Sequence, residues 1–365
     1  MRFSQFLKED ALELALPTDV RSAIIDKGGN IYQVGGAVRD EMLGKVSKDL
    51  DLLVVGIELK DLATLLTRFG KTNLVGKAFG IIKFVPTGAT EEIDISVPRI
   101  DSKSTGKGHK DFEVKLGKGI TLQQDQLRRD FWMNAMARDV ETGEIHDIDK
   151  KGQTDIENKQ IRVIGSQAFK EDPLRMLRAV QFAARFDFTI EAETMKQIKK
   201  NVNLIKTVSA ERFQEEFKKM FEKGTPSVGV DLLHQTGILK KLFPRARDTF
   251  SVEYDKLDKK GFPAFLAVLL RGHKSKDIQK AMKLSNEDTN AVSDVLKYIT
   301  MRDVDSDIGL VTFMKYSTPK GVENVNYLLK AQRKVDLDYR LNSICLLYTS
   351  PSPRDQRGSG MPGCA

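Results

Sequence analysis

Cysteine is nearly absent. The chain of 365 residues has two, Cys345 and Cys364, which cannot form a disulfide framework or a zinc site. Histidine is scarce too, at four residues. No apolar run is long enough to span a bilayer as a helix, and the amino terminus has no signal-like pattern, so the expected protein is cytoplasmic with no membrane partner. No internal repeat stands out. What remains is an ordinary soluble balance, 40% hydrophobic and 30% charged, over a length sufficient for two or more domains. The net charge is +8 and the pI about 9.2. Lysines recur at Lys103, Lys107, Lys110, Lys115, Lys118, Lys199, Lys200, Lys218 and Lys219. A phosphate-rich partner would explain them. Solvated helix and loop faces would produce the same pattern, so charge alone leaves both open.

The most informative stretch is Val34-Gly35-Gly36-Ala37-Val38-Arg39-Asp40, followed after Leu43-Gly44 by Lys48-Asp49-Leu50-Asp51-Leu52-Leu53-Val54-Val55. Ile31 to Val34 reads as a short strand, the paired glycines permit a tight turn, and Ala37 to Leu43 begins a helix whose amino end favours anions. On the strand that follows, side chains two apart share a face, so Asp49 and Asp51 project together. Two such carboxylates repel unless a cation neutralises them or water solvates them. An isolated Asp-x-Asp is most simply a solvated strand edge. Preceded by the glycine turn and helix, it suggests nucleotidyl transfer.

A coarse pass along the chain separates a strand-rich front from a helical rear. Strands are expected near 31–34, 50–55, 73–77, 81–85, 91–97 and 161–164, and helices near 37–43 and 59–69. From Glu171 onward apolar residues recur at helical spacing, through 174–186, 191–206, 209–222 and 227–235. Ser102 to Lys110 reads as a polar, glycine-rich, basic loop.

The run from Val34 to Val55 resembles the signature of the class II nucleotidyltransferases, the family of tRNA CCA-adding enzymes and bacterial poly(A) polymerases. Three further blocks resemble that family in the same order: Leu127-Arg128-Arg129-Asp130-Phe131-Trp132-Met133-Asn134-Ala135-Met136, then Glu171-Asp172-Pro173-Leu174-Arg175-Met176-Leu177-Arg178, then Ser209-Ala210-Glu211-Arg212-Phe213 through Glu216. Four ordered motifs are far more specific than one, and they cover roughly residues 20 to 245. The resemblance implies an α+β protein: a polymerase-β-like head, a mixed sheet with helices, over 1–160; a helical neck that reads the nucleotide base over 161–225; and a helical body that grips tRNA over 226–345. Residues 346–365 change abruptly to Ser, Pro, Gly and Arg and resemble a translated sequencing-adapter tail, so they are excluded from fold reasoning.

The implied activity is template-independent addition of C, C and A to the 3′ end of tRNA from CTP and ATP. Two Mg²⁺ would be held by Asp49 and Asp51, with Asp94 of Glu91-Glu92-Ile93-Asp94-Ile95 falling where the family places its third catalytic carboxylate. Gly35, Gly36, Arg39, Arg129, Asp130, Asn134, Asp172, Arg175 and Arg178 are the nucleotide-binding candidates that the motifs imply. Placed on a helix, Asp130 and Asn134 would share a face. Trp132 departs from the family, which usually has a small polar residue there, and Asp147 to Asp155 only loosely matches its glycine-rich connector.

Asp172 before Pro173 also reads as a helix start. That reading leaves Arg175 unexplained. An acceptor one turn from a planar donor fork matches the pairing edge of cytosine or adenine and rejects uracil and guanine; in the family this Asp and Arg template the incoming CTP or ATP. Arg212 and Glu216 lie four apart and can pair on a helix surface, while the family uses that helix to buttress the nucleotide-binding one. The structural role is the one expected.

His146-Asp147 invites comparison with the His/Asp phosphohydrolase domain appended to some relatives. None of His109, His234 and His273 precedes an Asp, so no such activity is expected. A poly(A) polymerase or a partial enzyme adding only CC or only A shares all four motifs. The compact rear half and Val75 to Gly80 look more like the CCA-adding branch. A non-catalytic RNA-binding protein is the remaining alternative, disfavoured because clustered acids would repel RNA phosphates.

Overall fold

The computed structural model describes residues 16–45, 50–75, 80–101, 114–246, 254–301 and 306–332. The elements in chain order begin with α1 (Thr18–Asp26), β1 (Asn30–Val34), α2 (Gly36–Met42), β2 (Asp51–Val55), α3 (Leu59–Leu66), β3 (Gly70–Val75), β4 (Ile81–Pro86) and β5 (Ile93–Ser96). There follow β6 (Arg99–Asp101), β7 (Val114–Leu116), α4 (Leu122–Leu127), β8 (Ala137–Asp139), β9 (Ile145–His146), α5 (Lys151–Glu157), β10 (Gln160–Ile161), α6 (Ala168–Glu171), α7 (Leu174–Phe186) and β11 (Thr189–Ile190). From there the described residues are helical: α8 (Ala192–Asn201), α9 (Ala210–Lys223), α10 (Pro226–Thr236), α11 (Ile238–Leu242), α12 (Phe262–Leu269), α13 (Ser275–Met282), α14 (Asn286–Thr300), α15 (Asp307–Tyr316) and α16 (Pro319–Ala331). The chain forms two compact units. One contains residues up to Arg175 together with Thr189–Gln197, the other Met176–Phe188 and everything from Ile198.

The first unit is built on a seven-stranded mixed sheet in the order β3-β4-β5-β2-β1-β8-β9. Its β2 and β5 run parallel and its other pairs antiparallel. Period-two alternation decides what each face carries. Ile31, Leu52, Val54, Ile82, Phe84, Ile93 and Ile95 face one way and pack with Val20 and Ile24 of α1 and Leu62, Leu65 and Leu66 of α3. The opposite face has a smaller apolar cluster of Val34, Leu53 and Ala137. Asp51, two residues before Leu53, belongs to this second face, outside the main core.

Several boundaries differ from the periodicity. The strand expected at 73–77 begins at Gly70, the one at 91–97 is confined to Ile93–Ser96, and the one at 161–164 is a two-residue pairing of Gln160–Ile161 with β11. The short strands β6 to β9 and β11 are too brief to give a periodic signal. Residues 191–206 divide into α8 and a 3₁₀ segment, Val202–Thr207.

The second unit is helical, and its centre is aromatic. Phe217, Phe221 and Phe265 are fully buried. Phe221 stacks on Phe265 with centroids 4.7 Å apart, Phe213 tilts against Phe217 at 5.1 Å, and Tyr254 meets Phe265 edge-on at 5.7 Å. Two buried polar side chains lock helix ends around this core. Asn324 accepts from the Ala264 amide at 3.1 Å, and Asp294 accepts from the Thr318 amide and hydroxyl at 2.9 and 2.8 Å. A Cβ at Gly321 would lie 2.3 Å from Asp294 Oδ2, so α14 and α16 approach closely only because that position is glycine.

Candidate nucleotide and cation site

The site residues that the sequence singled out converge largely in the first unit. Gly35 joins β1 to α2 with φ 76° and ψ −136°, a conformation that strains any residue with a side chain. A Cβ there would stand 3.5 Å from Arg129 Nη1 and 3.7 Å from Asp51 Oδ2. The glycine turn, the arginine and the strand carboxylate therefore surround one small space. Gly36 is covered instead by its own helix: a Cβ would lie 3.1 Å from Arg39 Nη2.

Asp51 opens β2, and the parallel register sets it directly beside Asp94 of β5. The two carboxylates stand side by side on adjacent strands, where like charges repel unless cations offset them. Asp49 lies outside the described residues. So do the basic loop at 102–110, residues 76–79 and the tail from 346. Among the described residues no group of three or more His, Cys, Asp or Glu side chains is gathered closely enough to hold a metal ion. The donors available there, Asp51 and Asp94, are hard oxygens of the kind that suits Mg²⁺ or Mn²⁺. Lys83 of β4 contacts Asp94 at 3.3 Å and Glu92 at 2.6 Å. Its hydrogen bonds to Glu92 and then Asp94 raise the lysine pKa above its ordinary value.

Arg39 is buried. Its Nε and Nη2 donate to Asp40 Oδ1 at 2.8 and 2.6 Å, and its Nη1 donates to Asn134 Oδ1 at 2.5 Å. Asn134 Nδ2 in turn donates to Asp130 Oδ1 at 3.0 Å. Asp130 and Asn134 thus meet, but not on a helix: α4 ends at Leu127, and Trp132–Asn134 is a single 3₁₀ turn. Asp130 itself stops a longer helix, since its Oδ1 also accepts from the Phe131 amide at 2.9 Å.

Asp125 was missed by the sequence reading. It is fully buried and grips Arg128 at 2.6 Å, Arg129 at 3.0 Å and the Arg99 amide at 3.3 Å. Burial would raise its pKa, but the charges of Arg129 and Arg128 and these hydrogen bonds outweigh burial and hold the carboxyl below its usual range. An Asp three and four residues before a pair of arginines, the spacing that one helix face would bring together, was the available signal. Arg175 Nη2 donates to the Arg128 carbonyl at 2.5 Å and its Nη1 to Glu171 at 3.4 Å. Asp172 accepts from the Leu174 amide at 3.1 Å, as a helix start requires.

The remaining candidates have local partners. Arg178 belongs to the second unit, where it reaches Glu216 at 3.4 Å and lies 5.0 Å from the Phe182 ring centre. Glu216 does not face solvent beside Arg212 as a surface pair would; it is buried between Arg178 and Lys219 and ties α9 to α7. Trp132 packs with Ala135 and Ile164 under the Lys151 ammonium, 4.5 Å from its ring. That apolar slot explains a large aromatic where the family has a small polar residue. Asp147 accepts from the Gly152 and Gln153 amides at 2.9 and 2.8 Å and so caps α5.

A mixed sheet carrying adjacent aspartates beside a glycine turn and an arginine is the arrangement that the motifs led one to expect. The comparisons agree with that expectation: residues 31–162 match the "Poly A polymerase head domain" family, and residues 187–249 match the "Probable RNA and SrmB- binding site of polymerase A" family. Over residues 31–162 the chain is therefore similar to the poly A polymerase head-domain family. The multifunctional CCA protein of Shewanella denitrificans is 39% identical over 228 residues, 61% of this chain and 52% of that protein. The CCA-adding enzyme of Pseudomonas entomophila is 36% identical over 229 residues, 61% of this chain and 57% of that enzyme. The chain thus spans about half the length of the curated relatives it matches. Among solved structures, the Bacillus stearothermophilus CCA-adding enzyme in complex with CTP aligns with TM-score 0.69 at 24% identity, covering 94% of this chain and 79% of that one. The Thermotoga maritima CCA-adding enzyme complexed with tRNA aligns with TM-score 0.67 at 22% identity, covering 95% and 88%. At such identities these likenesses establish the fold. Among the described residues, no helix is long and apolar enough to cross a membrane.

Proposed function

We propose that the chain is a tRNA nucleotidyltransferase that adds C, C and A to the 3′ end of tRNA from CTP and ATP, releasing pyrophosphate. The observation that carries the reading is Asp51 beside Asp94, facing Gly35 and Arg129, in a chain whose curated relatives include CCA-adding enzymes. On this reading residues 1–160 form the catalytic head, 161–225 read the base and 226–345 hold tRNA.

Asp51 and Asp94, with Asp49, would hold the divalent cations. A bound Mg²⁺ would supply positive charge for activating the 3′-hydroxyl and for stabilising the departing pyrophosphate. The absent side chain at Gly35 leaves phosphate oxygens room beside Arg129, which Asp125 fixes in position. Arg39, Asn134 and Asp130 form a buried relay that sets the wall of the pocket. Asp172 and Arg175 select the base by offering an acceptor and a donor fork to cytosine or adenine. For this, Arg175 Nη2 exchanges the Arg128 carbonyl for the base, which couples base selection to the residue before Arg129.

A second reading has its own support, because the matching family is described as a poly A polymerase head. Incubating the protein with tRNA lacking its CCA end and with each NTP alone or combined, then sequencing the 3′ ends, separates the two. Termination after C, C and A supports the proposal; long adenylate tails overturn it. Asp51→Asn should abolish Mg²⁺-dependent incorporation while leaving tRNA affinity nearly unchanged, and unaltered turnover would refute the cation assignment.

A further inference from the structure

Lys83 stands in the same cross-strand row as the two described carboxylates. The antiparallel register of β4 and β5 pairs Lys83 with Asp94, and the parallel register of β5 and β2 pairs Asp94 with Asp51. Their neighbours Ile82, Phe84, Ile93, Ile95 and Leu52 are buried in the main core. Alternation therefore sends Lys83, Asp94 and Asp51 to the opposite face, where they form one charged line.

The lysine has a choice of partners. Its Nζ lies 2.6 Å from Glu92 Oε1 and 3.3 Å from Asp94 Oδ1, and the three side chains remain 35%, 45% and 43% exposed. Ion pairs this wet are weak and exchange easily. A divalent cation ligated by Asp94 takes up the lone pairs and the negative charge that the ammonium uses, so the two compete. Glu92 gives the displaced ammonium somewhere to go without leaving the strand.

We infer that Lys83 is a positioning residue, a built-in counter-ion of Asp94: its ammonium is shared between Glu92 and Asp94 in the cation-free protein and gives up Asp94, keeping Glu92, when a divalent cation binds. The inference rests on the reading of Asp51 and Asp94 as cation ligands. Lys83 then sets the divalent-cation concentration at which the site fills, and Glu92 sets how firmly Lys83 holds on. A lysine that only stabilised the sheet would move neither quantity.

The test is a titration of the full-length protein with Mn²⁺, reading free ion by electron paramagnetic resonance, alongside the Mg²⁺ dependence of incorporation. Lys83→Met keeps the aliphatic stem and should tighten Mn²⁺ binding roughly three- to ten-fold at low salt, shrinking as salt rises, as expected for losing one unit charge a few ångströms from the ion. Glu92→Gln should act with the opposite sign, weakening binding about two-fold by returning the ammonium to Asp94. The double variant should bind Mn²⁺ like Lys83→Met. Asp51→Asn, titrated in parallel, separates the possible failures. If it loses Mn²⁺ while Lys83→Met binds no more tightly than the parent, the lysine inference is overturned and the cation reading stands. If it binds Mn²⁺ as the parent does, the cation reading itself falls.

Discussion

The two units bury different things. The second is centred on stacked phenylalanines, with Phe217, Phe221 and Phe265 fully enclosed. The first encloses an apolar core on one face of its sheet and, elsewhere in the unit, buries charge: Arg39, Asp40, Asp125, Asp130 and Asp155 are all buried. Burying charge costs free energy unless every partner is present. A unit that does so repeatedly has its arginines and carboxylates held in fixed directions, which the proposed phosphate-binding pocket would need. The aromatic unit buries fewer charges, Glu216 and Asp294, each with its partners in place.

This contrast can be tested with two probes. Trp132 is the only tryptophan and lies in the first unit, so its fluorescence follows that unit, while far-UV circular dichroism is weighted toward the helical second unit. The largest effect is expected for Phe265→Ala, which removes a ring at the centre of the aromatic cluster and should cost about 4 kcal/mol. The dichroism transition should move more than the fluorescence transition. Next comes Asp125→Asn, which leaves Arg128 and Arg129 without their shared buried carboxylate and should cost about 3 kcal/mol. Here the fluorescence transition should move more. Equal shifts of both probes in both variants would show that the units melt as one and break the comparison.

A pH effect comes third. Burial pushes the Asp155 pKa up to about 6, with Arg162 opposing at 2.8 Å. A carboxyl whose folded pKa is raised binds more protons when folded, so stability is greatest below the unfolded value of 3.8 and is lost as pH rises toward 6. The loss is roughly 2 to 3 kcal/mol for a shift of this size. Asp155→Asn should remove that slope, measured as the difference between variant and parent denaturant midpoints from pH 4 to 7. A difference independent of pH would mean that Asp155 stays ionised. The smallest effect is expected for Thr121→Ala, which deletes the capping box at the start of α4 and should cost about 1 kcal/mol. Because α4 carries Asp125, the fluorescence transition should again respond first.

The legible parts of the site were those that local chemistry dictates. Gly35 was identifiable because a turn between strand and helix needs positive φ, and Asp172 because an Asp before Pro starts a helix. Asp94 was identifiable only through the resemblance. Nothing local in Glu91-Glu92-Ile93-Asp94 says which carboxylate neighbours Asp51; that depends on a parallel pairing between strands some 40 residues apart in sequence. Arg39 illustrates the converse. Its motif position implies nucleotide binding, and its guanidinium is turned inward to Asp40 and Asn134, the latter brought in from a distant 3₁₀ turn. The helix expected across Asp130 and Asn134 failed because Asp130 caps its own following amide, a local competition that periodicity does not register.

By itself the sequence determined the order of a sheet-bearing front and a helical rear, and the glycine turn, because each follows from periodicity and backbone sterics acting over a few residues; the class of fold came through the resemblance of its ordered motifs. Only the tertiary structure decided that Asp51 stands beside Asp94 with Lys83 next in line, that Asp125 clamps Arg128 and Arg129, and that Glu216 is buried against Arg178. Those relations depend on strand register and on the desolvation of distant charges, and neither quantity is written in any local stretch of chain.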